Sequence, residues 1–149
     1  MRRRETRSVS GAAAHGSVGV LICDDDPGIR QMLRSVVGLR PSLRAVGEAA
    51  DGNEAIAQAA RLQPDVILLD LAMPSRTGME SLPELGRVAP GAQIIVFSGF
   101  SMASVAEEAV ELGAVLYLTK GADPDAINDA IEYAATRSSR TEVRFRSEP

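Results

Sequence analysis

The segment Asp65–Gly78 reads DVILLDLAMPSRTG. Within it, Val66–Asp70 passes from apolar to acidic with no polar break. An uninterrupted apolar run this short reads as a strand buried on both faces of a parallel sheet. That constrains the whole chain, because parallel strands need crossover connections, usually helices. It also puts a carboxylate, Asp70, at the strand end, where open α/β sheets place their ligands.

The rest of the chain supplies such a sheet. Apolar runs at Val18–Cys23, Leu43–Ala49, Gln93–Phe97 and Val115–Thr119 read as four more strands. Between them lie segments with helical apolar spacing, such as Ile29, Met32, Leu33, Val36 and Val37. Asp26-Pro27 and Asp123-Pro124 each look like an acidic N-cap followed by proline at the first helical position. Gly38 and Pro41 end the first helix, and Asp51-Gly52 reads as a turn before a helix over Glu54–Leu62. A short helix over 79–88 is interrupted by Pro83 near its start, another spans Met102–Leu112 with Gly113 as its C-cap, and the last runs to about Thr136. Strands alternating with helices of this size imply a parallel sheet covered on both faces.

Length and charge narrow the class. At 149 residues the chain is expected to hold one domain, at 18–136, between a disordered basic leader at 1–17 and a flexible tail at 137–149. No apolar run approaches the ~20 residues that span a bilayer, and no long apolar segment follows the basic N-terminus as in a signal peptide, so a cytoplasmic protein fits. Residues 18–136 carry a net charge of −9, a poor match to nucleic acid. Cys23 is the only cysteine and lies in an apolar run, where a buried inert thiol is expected.

The chemistry gathers at the strand ends. Asp24 and Asp25, then Asp70, Ser98 and Lys120, are each the first strongly polar residues after an apolar run, and parallel strands bring those ends to one edge. Asp26 is accounted for as a helix cap. The remaining carboxylates repel one another, and a divalent cation that favours oxygen relieves this; Mg²⁺ suits a few carboxylates and retained waters. Lys120 is the only lysine beside 15 arginines. Its compact ammonium enters a tight site as a point charge, which a planar guanidinium does not. A metal, a carboxylate, a hydroxyl and an ammonium together suit a phosphoryl group.

The elements LICDDDPGIR, DVILLDLAMPSRTG, IIVFSGFS and YLTKG, in that order, resemble the receiver domain of bacterial two-component response regulators over about four-fifths of the chain. The style is closest to receivers of helix-turn-helix regulators. The resemblance implies a flavodoxin-like, doubly wound (βα)5 sandwich with strand order 2-1-3-4-5. It implies that Asp70 accepts a phosphoryl group from a histidine kinase or phosphotransfer protein. It further implies that Asp24, Asp25, Asp70 and the backbone carbonyl of Ala72 bind Mg²⁺. Ser98 and Lys120 would hold the phosphoryl oxygens, and Gly99 would leave room for the donor. Ser98 and Tyr117 would form a switch that remodels a surface for a downstream protein partner or homodimer. Self-phosphorylation and auto-dephosphorylation would follow.

Three positions depart from the pattern. Gly121 replaces the proline that commonly follows the lysine in a cis bond; a cis bond to a non-proline costs ~3 kcal/mol, which leaves this loop open. Leu116 stands where a glycine often precedes the aromatic residue. Phe100 occupies a position that tunes access of hydrolytic water, which suggests an altered phosphoryl lifetime.

The residues after 136 are too few for a DNA-binding module, so a single receiver without an output domain is expected. One alternative is the receiver part of a DNA-binding regulator whose output domain is missing. Another is a haloacid-dehalogenase-like phosphatase using Asp24 with Asp26, which leaves Asp70 unexplained.

Overall fold

The computed structural model describes residues 17–99 and 102–146, the last nine of these by backbone alone. Five strands are connected by helices: β1 (Val18–Cys23), α1 (Pro27–Val37), β2 (Leu43–Ala49), α2 (Gly52–Leu62), β3 (Val66–Leu69), α3 (Gly78–Val88), β4 (Gln93–Ser98), α4 (Ala103–Glu111), β5 (Leu116–Thr119) and α5 (Pro124–Arg146). The strands form one parallel sheet in the order β2-β1-β3-β4-β5. This is the doubly wound flavodoxin-like arrangement expected from the sequence.

Side chains of a strand point alternately to its two faces, and each face here has its own core. Leu21, Cys23, Ile67, Leu69 and Val96 pack with Ala55 and Ala59 of α2, Leu82 and Leu85 of α3, and Ala109 of α4. Val20, Ile22, Val66, Leu68, Ile95 and Phe97 pack with Leu33, Val36 and Val37 of α1 and with Ile127, Ile131 and Ala134 of α5. All four residues of β3 are therefore buried, as its unbroken apolar run required. Burial pushes the Cys23 thiol pKa up, so it stays protonated as an inert core group.

Several boundaries differ from the sequence expectation. Asp51-Gly52 is a helix start rather than a free turn. Asp51 accepts from the Glu54 N–H at 2.8 Å while Glu54 Oε1 accepts from the Ala50 N–H at 2.7 Å. Pro83 does not interrupt α3: it is exposed and removes only the bond to the Met79 carbonyl, and the helix starts firmly on a capping box between Thr77 and Glu80. The last helix runs to Arg146, ten residues past the expected end and into the segment expected to be a flexible tail, because neither glycine nor proline occurs between Asp125 and Arg146 to stop it. Residues 1–16 of the leader expected at 1–17, and residues 147–149, lie outside the described residues, as does Phe100. No peptide among the described residues is cis, including Lys120–Gly121.

The turn after β3 is pinned by close backbone packing. The Gly78 N–H donates to the Leu71 carbonyl at 3.0 Å, and a Cβ at Gly78 would lie 2.0 Å from the Asp70 carbonyl oxygen. Gly86, in the same helix, has nothing within 4 Å of such an atom. Gly78→Ala should therefore destabilise the fold by about 2–3 kcal/mol, as overpacking does. Gly86→Ala should stabilise it by about 0.5–1 kcal/mol through helix propensity. Urea denaturation of the two variants checks the contrast; equal shifts would contradict it.

Candidate functional site

Register brings the strand ends together. Cys23 pairs with Leu69 and Leu69 with Val96, so the next residues of β1 and β3 emerge side by side. The ladder reaches one step further, with the Asp70 N–H donating to the Cys23 carbonyl at 2.9 Å. On the other flank Ser98 pairs with Thr119, and the Lys120 N–H donates to the Ser98 carbonyl at 2.8 Å. Asp24, Asp70, Ser98 and Lys120 thus share one edge of the sheet.

The geometry there is tight. Asp24 is 1% exposed and Asp70 3%. The Lys120 ammonium lies 2.8 Å from Asp24 Oδ2 and 3.4 Å from Asp70 Oδ2. Asp24 Oδ2 is buried and has no aligned hydrogen-bond donor; the lysine touches it as an ion pair. Asp24 Oδ1 accepts from the Asp26 N–H at 2.9 Å, and Asp70 Oδ1 from the Ala72 N–H at 3.2 Å. Asp25 is exposed but offers a carboxylate oxygen to the same cluster: single oxygens of Asp24, Asp25 and Asp70 all lie within 4.8 Å of one another.

Those three residues fit a magnesium ion. Oxygens on opposite sides of Mg²⁺ stand about 4 Å apart, so small adjustments suffice. A hard cation also suits an all-carboxylate donor set, and receiver domains bind Mg²⁺ at such an acidic cluster. Burial raises the Asp70 pKa; the Ala72 amide and Lys120 oppose that shift, while the Asp24 charge adds to it. For Lys120, burial lowers the pKa, but the close ion-pair contact with Asp24 and the attraction of both carboxylates outweigh it, and the net shift is upward. The ammonium is therefore charged at neutral pH.

The other residues singled out in the sequence fall as follows. Ser98 is fully buried at the end of β4. Tyr117 is half-buried on β5 and packs against the core beneath α2, α3 and α4. Ala72 is exposed and reaches the site through its amide. A Cβ at Gly99 would meet nothing within 4 Å, so space is open there. Asp26 caps α1, accepting from the Gly28 N–H at 2.8 Å, and stands outside the carboxylate group. The phosphatase alternative loses ground accordingly, since it needs Asp26 as the partner of Asp24. Arg30 is an addition: its Nη1 donates to the Asp24 carbonyl at 2.7 Å. In the sequence, an arginine on an amphipathic helix reads only as part of a solvated face.

Comparison with known proteins identifies the family. The family model described as "Response regulator receiver domain" matches residues 20–132. The chain belongs to the response regulator receiver family. The nitrate/nitrite response regulator NarP of Escherichia coli is 40% identical over 119 residues, covering 80% of this chain and 55% of NarP. The chemotaxis protein CheY of Thermotoga maritima is 31% identical over 112 residues, 75% of this chain and 92% of CheY. A two-component response regulator of the LuxR family from Aurantimonas superposes with a TM-score of 0.77 at 31% identity, covering 80% of this chain and 86% of the other. The chain spans only 54% to 60% of the length of the curated regulators that head the comparison. Receivers of this family act as phosphorylation-dependent elements of two-component systems. Among the described residues no helix is long and apolar enough to cross a membrane.

The raised Asp70 pKa has a consequence for stability. A folded-state pKa above the unfolded value means that the folded chain holds the proton more tightly. The associated stability is present at low pH and is lost as pH rises through the raised pKa, so at neutral pH the ionised Asp70 weighs against the fold. Asp70→Asn should then raise the melting temperature of the metal-free protein at pH 7 by roughly 2–4 °C, the span of ~1 kcal/mol in a domain of this size. Calorimetry in a chelator reads this directly, and a lower melting temperature would refute it.

Proposed function

We propose that this receiver takes a phosphoryl group from a phosphohistidine of a histidine kinase or phosphotransfer protein onto Asp70. A carboxylate oxygen of Asp70 forms a bond to phosphorus. The phosphorus–nitrogen bond breaks, and the donor imidazole leaves and takes up a proton from solvent. The observation that carries the reading is the position of Asp70: it is the carboxylate that the Lys120 ammonium and the Ala72 amide both approach, with Asp24 and Asp25 beside it.

Each neighbour then has a role. Asp24, Asp25, Asp70 and the Ala72 carbonyl hold Mg²⁺, which when bound offsets charge on the transferring group. Lys120 leaves its shared position between two carboxylates for a phosphoryl oxygen. Ser98 donates its hydroxyl to another. A phosphoryl group adds about −1.5 to −2 charges next to these donors. Drawing Ser98 toward it opens room behind β4 for Tyr117 to turn inward, which alters the face formed by α4, β5 and α5. A downstream protein or a second copy reads that face. The receiver body, with its net charge of −9 over 18–136, repels polyanions, which favours a protein rather than a nucleic acid as the partner of that face.

Incubation with a small acyl-phosphate donor and Mg²⁺ tests the assignment. The wild type should gain one acid-stable, alkali-labile phosphoryl group, seen by intact mass. Asp70→Asn should gain none, and Lys120→Ala should label at least tenfold more slowly, as expected when a charged transition-state contact is lost. Label that persists in Asp70→Asn but vanishes in Asp24→Asn would transfer the acceptor role to Asp24.

A further inference from the structure

We infer that Arg30 is a positioning residue for the metal site, acting through the peptide between Asp24 and Asp25. The inference rests on the reading of the acidic cluster as a Mg²⁺ site that serves Asp70.

Arg30 lies one turn into α1, its N–H donating to the Asp26 carbonyl at 3.0 Å. Its side chain, 20% exposed, folds back over the β1–α1 loop instead of reaching into water. Two arms of the guanidinium are occupied. Nη1 donates to the Asp24 carbonyl at 2.7 Å, and Nε donates to Glu48 Oε1 at 2.9 Å. Glu48 stands on β2, opposite Ile22 of β1. Its other oxygen, Oε2, pairs with Arg34. The neighbouring Ala49 carbonyl accepts from the Asp24 N–H at 3.0 Å. Asp24 is thereby held on its amide side by β2 and on its carbonyl side by Arg30, which is itself anchored to β2.

The carbonyl side matters most. The Asp24 C=O belongs to the peptide whose rotation changes the direction of Asp25 relative to Asp24. β1 ends at Cys23, so this carbonyl lies beyond the strand pairs of the sheet. A bond from Arg30 restricts that peptide and so keeps the exposed Asp25 carboxylate within reach of its two buried neighbours. Such groups behind metal ligands commonly change metal affinity by 10- to 100-fold.

Charge alone predicts the opposite sign. A cation close to the three carboxylates disfavours a second cation, so deleting Arg30 for its charge would tighten Mg²⁺ binding. Positioning predicts weaker binding. It also predicts that lysine fails at this place, because a single ammonium lacks the rigid fork that reaches two acceptors at once.

The experiment is calorimetric titration of the metal-free full chain with Mg²⁺, alongside amide hydrogen exchange. Arg30→Ala and Arg30→Lys should each raise the Mg²⁺ Kd about tenfold and speed exchange at Asp25 and Asp26, with the β3 amides still protected. Arg34→Ala removes a charge from the same cluster without touching the Asp24 carbonyl, and its Kd should stay within twofold of wild type. In the labelling assay the loss in Arg30→Ala should narrow as Mg²⁺ is raised. Tighter binding by Arg30→Ala, or wild-type affinity in Arg30→Lys, overturns the inference. Labelling that persists in Asp70→Asn while Arg30→Ala still weakens Mg²⁺ binding rejects the acceptor assignment and keeps the positioning role. Absence of Mg²⁺ binding by the wild type rejects both.

Discussion

Two carboxylates almost wholly removed from water share one ammonium at the edge of this sheet. Asp24 and Asp70 are both buried, and the only lysine of the chain touches them both. Like charges in such a place repel, and desolvation penalises each of them further. The shared ammonium offsets part of that repulsion, and backbone amides at Asp26 and Ala72 hold the two carboxylates in place. That unresolved charge is what makes the site receptive: a divalent cation relieves the repulsion, and a phosphoryl group gives the lysine a new partner.

The scaffold supplies the necessary rigidity from below and from the side. Beneath the site, β1, β3 and β4 are buried between two cores of opposite facing, so the strands resist sliding and twisting. Beside it, the loop after β3 is tied by the Gly78–Leu71 bond and by the contact of Gly52 N–H with the Arg76 carbonyl at 2.8 Å. The same loop returns the Ala72 amide to Asp70 Oδ1. Across the sheet, the irregularity between β1 and β2 shifts the register after Val20 and brings Glu48 opposite Ile22. Without that shift the anchor of Arg30 would move to the other face, because a one-residue slip inverts every side chain.

The polar groups therefore divide into those that meet the reacting group and those that hold them. Asp70, Ser98, Lys120 and the metal-binding Asp24 and Asp25 belong to the first set in the proposed reaction, and Arg30 with Glu48 to the second. The held groups come from the ends of β1, β3, β4 and β5, whereas the holding groups come from α1 and β2. In the positioning role inferred for Arg30, its link to the first set runs through the Asp24–Asp25 peptide.

Much of this was legible in the chain itself. The unbroken run of β3, the alternation of strands and helices, and the polar residue after each strand are local patterns set by burial and side-chain period. They suffice for the parallel sheet and for the company of Asp24, Asp25, Asp70, Ser98 and Lys120. Asp26 as a cap was equally legible, because the Asp-Pro pair acts within one turn. Contacts between segments far apart in sequence were not. The helical extent to Arg146 exceeded the expected end: polar composition suggested a tail, but no glycine or proline lies between Asp125 and Arg146 to break the backbone ladder. The register shift in β2, the reach of Arg30 to the Asp24 carbonyl and the sharing of Lys120 between two acids depend on distances that no spacing rule encodes. The sequence by itself determined which chemistry meets at the sheet edge, since each strand carries its own polar end. Only the tertiary structure decided how closely those ends approach and what braces them, since both are properties of the packing between strands.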